Sequence, residues 1–372
     1  MKKILILLKH LSLGGAEKMF LRILNSMDTN TYSIHVMLIF DERLQELPNL
    51  PNLRVTAIFH EKNDAVKQLI KNHPDEIYAK NIIDKYDVEI AFLEGYPTQI
   101  IGASSNPHSL KTAFIHTDFR FFHHSLNAYI NADYEIECYR KYQYIMYVSE
   151  TARKGFHIMY PSILPQREYI FYPPLTEKML VPSYSIPTIS DERPYFITLT
   201  RLAPEKGVFK LIYACKKVIE LGYDICFRIY GSGPLYHQLL QTIYTQHLEK
   251  NIYLMGYHKA PYIELRNSLA YICPSDYESF CIAIEEALFS SVPVISCRCS
   301  GTEEILHNGD FGLLVENNSD GLANGISCFL SKPDLSELLR RKSQNGKIYW
   351  QNILKSASNF SELLYHTRTS KL

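Results

Sequence analysis

The sequence predicts an α/β protein of two doubly wound domains that face each other across a cleft. Its 372 residues suffice for two domains of ordinary size. Short apolar runs alternate with helical patterns, which is typical of parallel sheets covered by helices on both faces. The alternation stops over 173–194, where Pro, Ser and Thr gather as in a linker. We therefore expect a first domain at 1–175 and a second at 190–345, with a C-terminal helix at 346–372 packing back on the first.

Each domain follows from its own series of strands and helices. In the first domain, strands are expected at Lys3–Leu8, Ser33–Phe40, Arg54–Phe59, Val88–Leu93, Lys111–Ile115 and Tyr144–Val148. Its helices are expected at Ala16–Asn25, Asp75–Tyr86 and Glu150–His157. In the second domain, strands are expected at Tyr195–Thr200, Ile225–Tyr230, Ile252–Met255, Leu269–Cys273 and Pro293–Ser296. Its helices are expected at Lys206–Leu221, Leu235–His247, Tyr262–Ser268 and Ile282–Ser290.

The composition is that of a soluble globular protein. Hydrophobic residues make up 46% and charged residues 21%, and Lys plus Arg equal Asp plus Glu at 39 each. Nucleic-acid binders usually carry a basic excess, so we expect no nucleic-acid partner. The apolar run 4–8 is interrupted by Lys9 and His10 and lacks a small-residue cleavage site, so we interpret it as a core strand rather than a signal peptide. No apolar run reaches the roughly 18 residues that a membrane-spanning helix needs.

The cysteines indicate a reducing compartment. The chain has eight of them without a Cys-x-x-Cys pair, and most lie in apolar runs. Such residues are typical of reduced core positions. Cys297 and Cys299 could in principle bind a metal, but no second pair lies nearby in sequence, so we interpret them as packing. We therefore expect a cytoplasmic protein.

Two carboxylates of the second domain, Glu278 and Glu286, lie eight positions apart across a predicted junction of loop and helix. Good helix formers fill 282–289, so we expect the helix to begin near Phe280 to Ile282. Its first backbone N–H groups would face the carboxyl end of the preceding strand and favour an anion. The alternative is an ordinary buried helix on which Glu285 and Glu286 form a solvated pair.

Three further loops follow predicted strands. Gly14 and Gly15 precede the first helix, where they permit close backbone approach or simply form a tight turn. In the loop after the strand at 195–200, Arg201 offers a planar fork and Lys206 a point charge, which together suit a diphosphate. The alternative is a solvated loop whose Glu205 pairs with a neighbour. The third loop, 231–233, has glycines that either admit a nucleotide or form a plain turn.

These motifs together resemble a known enzyme family. They occur in the expected order, as Gly14-Gly15-Ala16-Glu17, Arg201 with Lys206-Gly207, Gly231-Ser232-Gly233, Glu278 with Glu286-Ala287, and Ser300-Gly301-Thr302-Glu303-Glu304-Ile305. The set resembles the family 4 retaining glycosyltransferases, the glycosyl transferases group 1, which have the GT-B fold of two Rossmann-like domains. The resemblance covers essentially the whole chain and is strongest over 195–316.

The resemblance implies a role for each matching residue. Arg201 and Lys206 would neutralise the departing diphosphate, Glu278 would contact the donor sugar, and Glu286 would bind the ribose hydroxyls. His116 matches the family's active-site histidine beside the sugar. The catalytic residues are thus expected to be Arg201, Lys206, His116 and Glu278. The donor-binding residues are expected to be Gly14, Gly15, Gly231, Gly233, Ser279, Phe280, Cys281, Ile282 and Glu286.

The sequence departs from the family at three positions. Ser279 and Cys281 replace two common glycines of the carboxylate motif, and Ser300 replaces another after Cys299. Backbone contacts should survive these changes, whereas the donor preference is open. No Asp-x-Asp occurs in the chain, which is consistent with metal-independent transfer, so we expect no metal and no cofactor. The expected substrate is a nucleotide-diphosphate sugar, with UDP favoured over GDP.

The resemblance implies retaining transfer of a hexose or N-acetylhexosamine to a glycan or lipid-linked glycan acceptor, in bacterial surface polysaccharide synthesis. The alternatives are a non-catalytic GT-B subunit that stabilises a partner glycosyltransferase, and another GT-B enzyme such as a sugar-nucleotide epimerase. Aromatic and basic residues crowd 119–160, where they either meet the inner face of the plasma membrane as a peripheral contact or form the rim of helices packed on the first sheet.

Overall fold

The computed structural model describes residues 1–121, 123–181 and 191–356. These residues form two compact units, unit 1 at Met1–Pro174 and unit 2 at Leu175–Ser356. The centre of the predicted linker, 182–190, lies outside the described residues.

Unit 1 contains a parallel sheet with helices between its strands. The strands are β1 (Lys2–Leu8), β2 (Tyr32–Phe40), β3 (Leu53–Phe59), β4 (Val88–Ala91), β5 (Leu110–Ile115), β6 (Tyr144–Tyr147) and β7 (Arg167–Ile170). The helices are α1 (Gly15–Ser26), α2 (Asp64–Asn72), α3 (Pro74–Asn81), α4 (Tyr96–Gly102), α5 (Ala132–Tyr139) and α6 (Glu150–Met159). The strand order is β3-β2-β1-β4-β5-β6-β7. Ile4 to Leu8 of the central strand β1 are all buried, as is typical of a parallel strand that is covered on both faces.

Unit 2 repeats this architecture. Its strands are β8 (Tyr195–Leu199), β9 (Cys226–Tyr230), β10 (Ile252–Gly256), β11 (Tyr271–Cys273), β12 (Val294–Cys297) and β13 (Leu313–Val315), in the parallel order β10-β9-β8-β11-β12-β13. Its helices are α7 (Val208–Glu220), α8 (Tyr236–Thr245), α9 (Tyr262–Asn267), α10 (Ile282–Phe289), α11 (Ser300–Ile305), α12 (Ser319–Ser331) and α13 (Pro333–Ser356). The predicted class of two doubly wound domains is confirmed.

Two of the elements that the sequence pattern did not predict are polar or interrupted. Strand β7 lies at the edge of its sheet, is only partly buried and begins with Arg167-Glu168, so it forms no apolar run. Helix α4 has Pro97 in its first turn, which resembles a loop in sequence although proline is tolerated there. Packing in the fold decides these elements more than local propensity does.

In both sheets the strand order reverses beside the first strand of the unit. The reversal lies between β1 and β4 in unit 1 and between β8 and β11 in unit 2. Connections from these neighbouring strands depart in opposite directions, which opens a crevice at the carboxyl ends of the strands. The loops at 200–207 and 274–281 therefore meet at one point of unit 2.

The part of the predicted C-terminal helix that the structure describes, 346–356, packs on unit 2, and the packing of 357–372 on the first domain stays a prediction. Trp350 of α13 is buried, and its Nε1 donates a hydrogen bond to the Ile305 carbonyl at 2.9 Å. The Trp350 ring also meets the Phe280 ring edge-on, at 5.5 Å between centroids. The apolar face of the helix thus covers α10 and α11. The remainder, 357–372, lies outside the described residues.

Candidate active site

An ion pair joins the two loops at the crevice of unit 2. Lys206 Nζ lies 2.7 Å from Glu278 Oε1, and the Ser275 hydroxyl donates to the same oxygen at 2.8 Å. Lys206 ends a short 3-10 turn, and Gly207 follows it with φ +63. A Cβ on Gly207 would overlap the Pro274 carbonyl, so glycine is needed both for this backbone conformation and for the approach of the two loops.

The ion pair keeps Lys206 charged. Burial disfavours the ammonium, but the attraction and hydrogen bond of Glu278 outweigh it, so the pKa of Lys206 lies above its ordinary value. Both side chains remain partly accessible, with 21% of Lys206 and 12% of Glu278 exposed. A ligand at the crevice can therefore meet a fixed cation and a fixed carboxylate side by side.

Arg201 is placed differently from Lys206. Its side chain is 58% exposed and pairs with Glu205. This is the neighbour pairing of Glu205 that the sequence left open as an alternative. The Glu205 carbonyl accepts the Asp276 N–H at 2.9 Å, which ties this loop to the one after β11. A ligand would therefore compete with Glu205 for the Arg201 guanidinium or share it.

The predicted helix start is confirmed, because α10 begins at Ile282 with Cys281 as its N-cap. Glu285 and Glu286 are both buried, so the interpretation as a solvated pair is wrong. Tyr262 of α9 donates its hydroxyl to Glu286 Oε1 at 3.2 Å. Every residue of this helix from Ile284 to Phe289 is buried, so neither glutamate faces water.

The glycines of the 231–233 loop bring backbone segments together. Gly231 has φ +151, and a Cβ there would overlap the Thr200 carbonyl. Gly233 approaches the Leu202 carbonyl in the same way. Their observed contacts are thus with the 200–202 backbone, and their donor role stays a prediction, as do those of Ser279, Phe280, Cys281 and Ile282.

In unit 1, His116 follows β5 and is held by a carboxylate that follows β4. Glu94 Oε1 accepts the N–H groups of His116 and Thr117 at 2.5 and 2.7 Å. Burial lowers the pKa of His116, although Glu94 and a hydrogen bond to the Phe92 backbone act in the opposite direction. The imidazole is thus neutral at neutral pH. Its Nε2 is buried without a hydrogen-bond partner in the described part of the chain.

The start of α1 at Gly14 and Gly15 already carries a carboxylate of the chain itself. Glu17 folds back over Gly14, accepts a hydrogen bond from the Ser12 hydroxyl at 2.9 Å, and lies 3.4 Å from His10. Burial opposes ionisation of Glu17, but the contact with His10 and the hydrogen bonds from its own backbone N–H and Ser12 prevail and lower its pKa. An anion at this helix start is therefore supplied internally, and the donor role of these glycines stays a prediction.

The sequence analysis missed several residues that contact the candidate residues within each unit. Ser275 and Tyr262 contact the two glutamates of unit 2, and Glu94 holds the His116 backbone. Of these three residues, only Glu94 could have been predicted from the sequence, because a carboxylate directly after an apolar strand lies at the carboxyl edge of the sheet. Across the described ranges, each helix is too short or too polar to cross a lipid bilayer.

Comparison with known proteins agrees with this arrangement. Residues 185–348 match the family model of the glycosyl transferases group 1. An uncharacterized glycosyltransferase of Methanocaldococcus jannaschii is 36% identical over 112 residues, 30% of this chain and 28% of that protein. The putative colanic acid biosynthesis glycosyltransferase WcaL of Escherichia coli K12 is 30% identical over 151 residues, 38% of this chain and 37% of that protein. The matches thus span less than two-fifths of these two relatives.

Similarity in structure extends over the whole chain. The crystal structure of Anabaena HepE in complex with UDP and glucose has a TM-score of 0.77 and 16% identity, covering 98% of this chain and 100% of that one. At this identity the similarity concerns the fold. Residues 185–348 are therefore similar to the glycosyl transferases group 1 family, and the chain has the GT-B fold.

Proposed function

We propose that this chain is a retaining glycosyltransferase that moves a hexose or N-acetylhexosamine from a nucleotide-diphosphate sugar to a glycan or lipid-linked glycan. The observation that carries the proposal is the Lys206–Glu278 pair, at 2.7 Å, within the segment that matches the family. A cation beside a carboxylate at the crevice of a parallel sheet suits a diphosphate joined to a polyol. The colanic acid relative supports a role in surface polysaccharide synthesis, and the HepE complex supports UDP as the nucleotide.

The proposed reaction needs no protein nucleophile. The bond from the anomeric carbon to the diphosphate oxygen breaks, and the acceptor hydroxyl adds to the same face of the sugar. The hydroxyl proton passes to the leaving phosphate oxygen. Lys206, joined by Arg201 once it leaves Glu205, offsets the charge that develops on the diphosphate, so no divalent cation is required for this step. The neutral His116 accepts a hydrogen bond from a sugar hydroxyl at Nε2.

A screen of nucleotide sugars for hydrolysis and transfer, followed by product analysis, tests the proposal. We expect one donor class to be consumed with release of nucleoside diphosphate and retention at the anomeric carbon. Donor consumed without acceptor and recovered as an isomer would indicate an epimerase instead. Calorimetry that detects no nucleoside diphosphate binding would favour a non-catalytic subunit.

Replacement of Glu286 by alanine is expected to weaken donor binding more than turnover. In the proposed complex the Glu286 carboxylate accepts hydrogen bonds from the ribose hydroxyls. These replace or join the hydrogen bond that the Tyr262 hydroxyl donates. A ribose contact is made equally before and during the reaction, so its loss raises KM with kcat nearly unchanged. A tenfold rise in KM corresponds to a loss of about 1.4 kcal/mol of donor-binding free energy. Steady-state kinetics on Glu286→Ala and Tyr262→Phe measure it, and a fall in kcat at constant KM would contradict the assignment.

We also propose that unit 1 contacts an anionic membrane surface through 119–160. Phe121, Ile130 and Ile158 are 60%, 56% and 64% exposed, and the basic side chains of Arg140 and Lys154 are exposed in the same stretch. The segments share one core, because the Tyr160 ring packs against the rings of Phe119, His123, Tyr139 and Phe156. Phe122 of this stretch lies outside the described residues.

Co-sedimentation with phosphatidylserine vesicles tests this contact. We expect binding at low salt that weakens at high salt, since each basic residue near such a surface contributes about 1 kcal/mol. The double variant Phe121→Ser/Ile158→Ser should bind less. The matched control is Leu221→Ser in unit 2, whose leucine is 65% exposed. Absence of binding by the wild-type protein at low salt would remove the proposal.

A further inference from the structure

A group of three potential metal ligands lies within the carboxylate motif. The sulfur atoms of Cys273 and Cys281 are 3.9 Å apart. Together with an oxygen of Glu278, one ligand atom from each residue lies within 4.8 Å of the others. Both cysteines are buried, at 1% and 5% exposure. Cys273 ends β11 and Cys281 is the N-cap of α10, so the strand and the helix fix both thiols.

The sulfur separation fits a shared metal ion. Two thiolates on a tetrahedral zinc, each at a Zn–S distance of about 2.3 Å, lie roughly 3.8 Å apart. A disulfide would need about 2.05 Å between the sulfurs, so forming one requires a rearrangement that metal binding does not. Two sulfur donors with one carboxylate oxygen favour a borderline-soft cation such as Zn²⁺ over Mg²⁺, which prefers oxygen.

We propose that Cys273, Cys281 and Glu278 form a zinc site that competes with the donor sugar. The three residues supply three ligands and leave the fourth position for water. Zinc bound to Glu278 would displace the Lys206 ammonium, because both are cations that bind the same carboxylate. The inhibitory consequence rests on the proposed glycosyltransferase function, whereas metal binding itself does not.

Titration of the full chain with Co²⁺, and with Zn²⁺ in competition, tests the site. We expect one equivalent of Co²⁺ to give a thiolate-to-metal charge-transfer absorption that Zn²⁺ abolishes. Cys273→Ala and Cys281→Ala should each weaken the affinity at least about tenfold, since loss of an outer contact alone costs 10–100-fold. Cys328→Ala, which removes a thiol from α12, is the matched control and should leave the titration unchanged.

A further variant distinguishes zinc binding at this site from zinc binding by an exposed thiol elsewhere. Lys206→Met should tighten zinc binding severalfold, because it removes the cation that competes for Glu278. Melting curves from circular dichroism establish that each variant is folded. A titration of folded Cys273→Ala and Cys281→Ala that matches wild type would overturn the site.

The two proposals fail in distinguishable ways. Zinc binding without activity towards any nucleotide sugar would retain the metal site and refute the enzyme. Transfer activity that is insensitive to Zn²⁺, with no charge-transfer absorption from Co²⁺, would refute the metal site alone and leave the two thiols as a hydrogen-bonded pair.

Discussion

Lys206→Ala is expected to lower kcat by about 10²–10³-fold, the loss typical of one electrostatic contact made to charge that develops in the transition state. Lys206 is the cation fixed at the crevice, held 2.7 Å from Glu278 and charged throughout the physiological pH range. Because the contact strengthens as the diphosphate departs, kcat and kcat/KM should fall together. Steady-state kinetics with the donor that the substrate screen identifies measure both.

The control for this prediction is another lysine ion pair of unit 2. Lys217 pairs with Asp320 at an exposed position, and Lys217→Ala should retain kcat. Arg201→Ala should cost less than Lys206→Ala, since Arg201 is 58% exposed and its charge is offset by Glu205. Near-normal turnover in the Arg201→Ala/Lys206→Ala double variant would contradict the proposed mechanism.

Trp350→Ala is expected to lower the free energy of unfolding of unit 2 by about 3–5 kcal/mol, the usual cost of truncating a buried large aromatic side chain. The substitution removes the packing against Phe280 and the hydrogen bond to the Ile305 carbonyl. It leaves that carbonyl without its indole donor. Trp350 is the only tryptophan of the chain, so unfolding should be followed by circular dichroism rather than fluorescence.

A neighbouring residue of α13 provides the comparison. Ile348 is 57% exposed, and Ile348→Ala should change the free energy of unfolding by no more than about 0.5 kcal/mol. The free energy of unfolding of Trp350→Phe should lie between those of Trp350→Ala and Ile348→Ala, because phenylalanine keeps a ring against Phe280 but lacks the N–H donor. Equal stabilities for Trp350→Ala and Ile348→Ala would show that the helix does not pack on unit 2 in solution.

The periodicity of the sequence was sufficient for the fold, because apolar strands and helices alternate wherever a parallel sheet is buried on both faces. It was not sufficient for the partners of single residues. Lys206 and Glu278 are 72 positions apart and meet only because β8 lies beside β11. The sequence assigned them to different parts of a substrate and gave no sign that they bind each other.

The C-terminal helix illustrates a second limit. An amphipathic pattern indicates that one face is buried but does not identify the surface that buries it. Trp350 contacts Ile305 and Phe280, which are 45 and 70 positions away by sequence number. Likewise, the burial of Glu285 and Glu286 could not be predicted from two adjacent charges, since it depends on α10 being enclosed on all sides.

The pairing of Lys206 with Glu278 has a consequence for the last stage of the proposed reaction. A nucleotide sugar that takes the ammonium with its diphosphate and the carboxylate with a sugar hydroxyl leaves both groups satisfied. Once the sugar has been transferred, the remaining nucleoside diphosphate engages only the ammonium, and Glu278 loses its substrate partner. Glu278 then retains only the Ser275 hydroxyl, and the loss of one hydrogen bond to a charged group costs about 1.5–3 kcal/mol. Reunion of Lys206 with Glu278 recovers that energy, so the resting ion pair favours departure of the spent nucleotide over its retention.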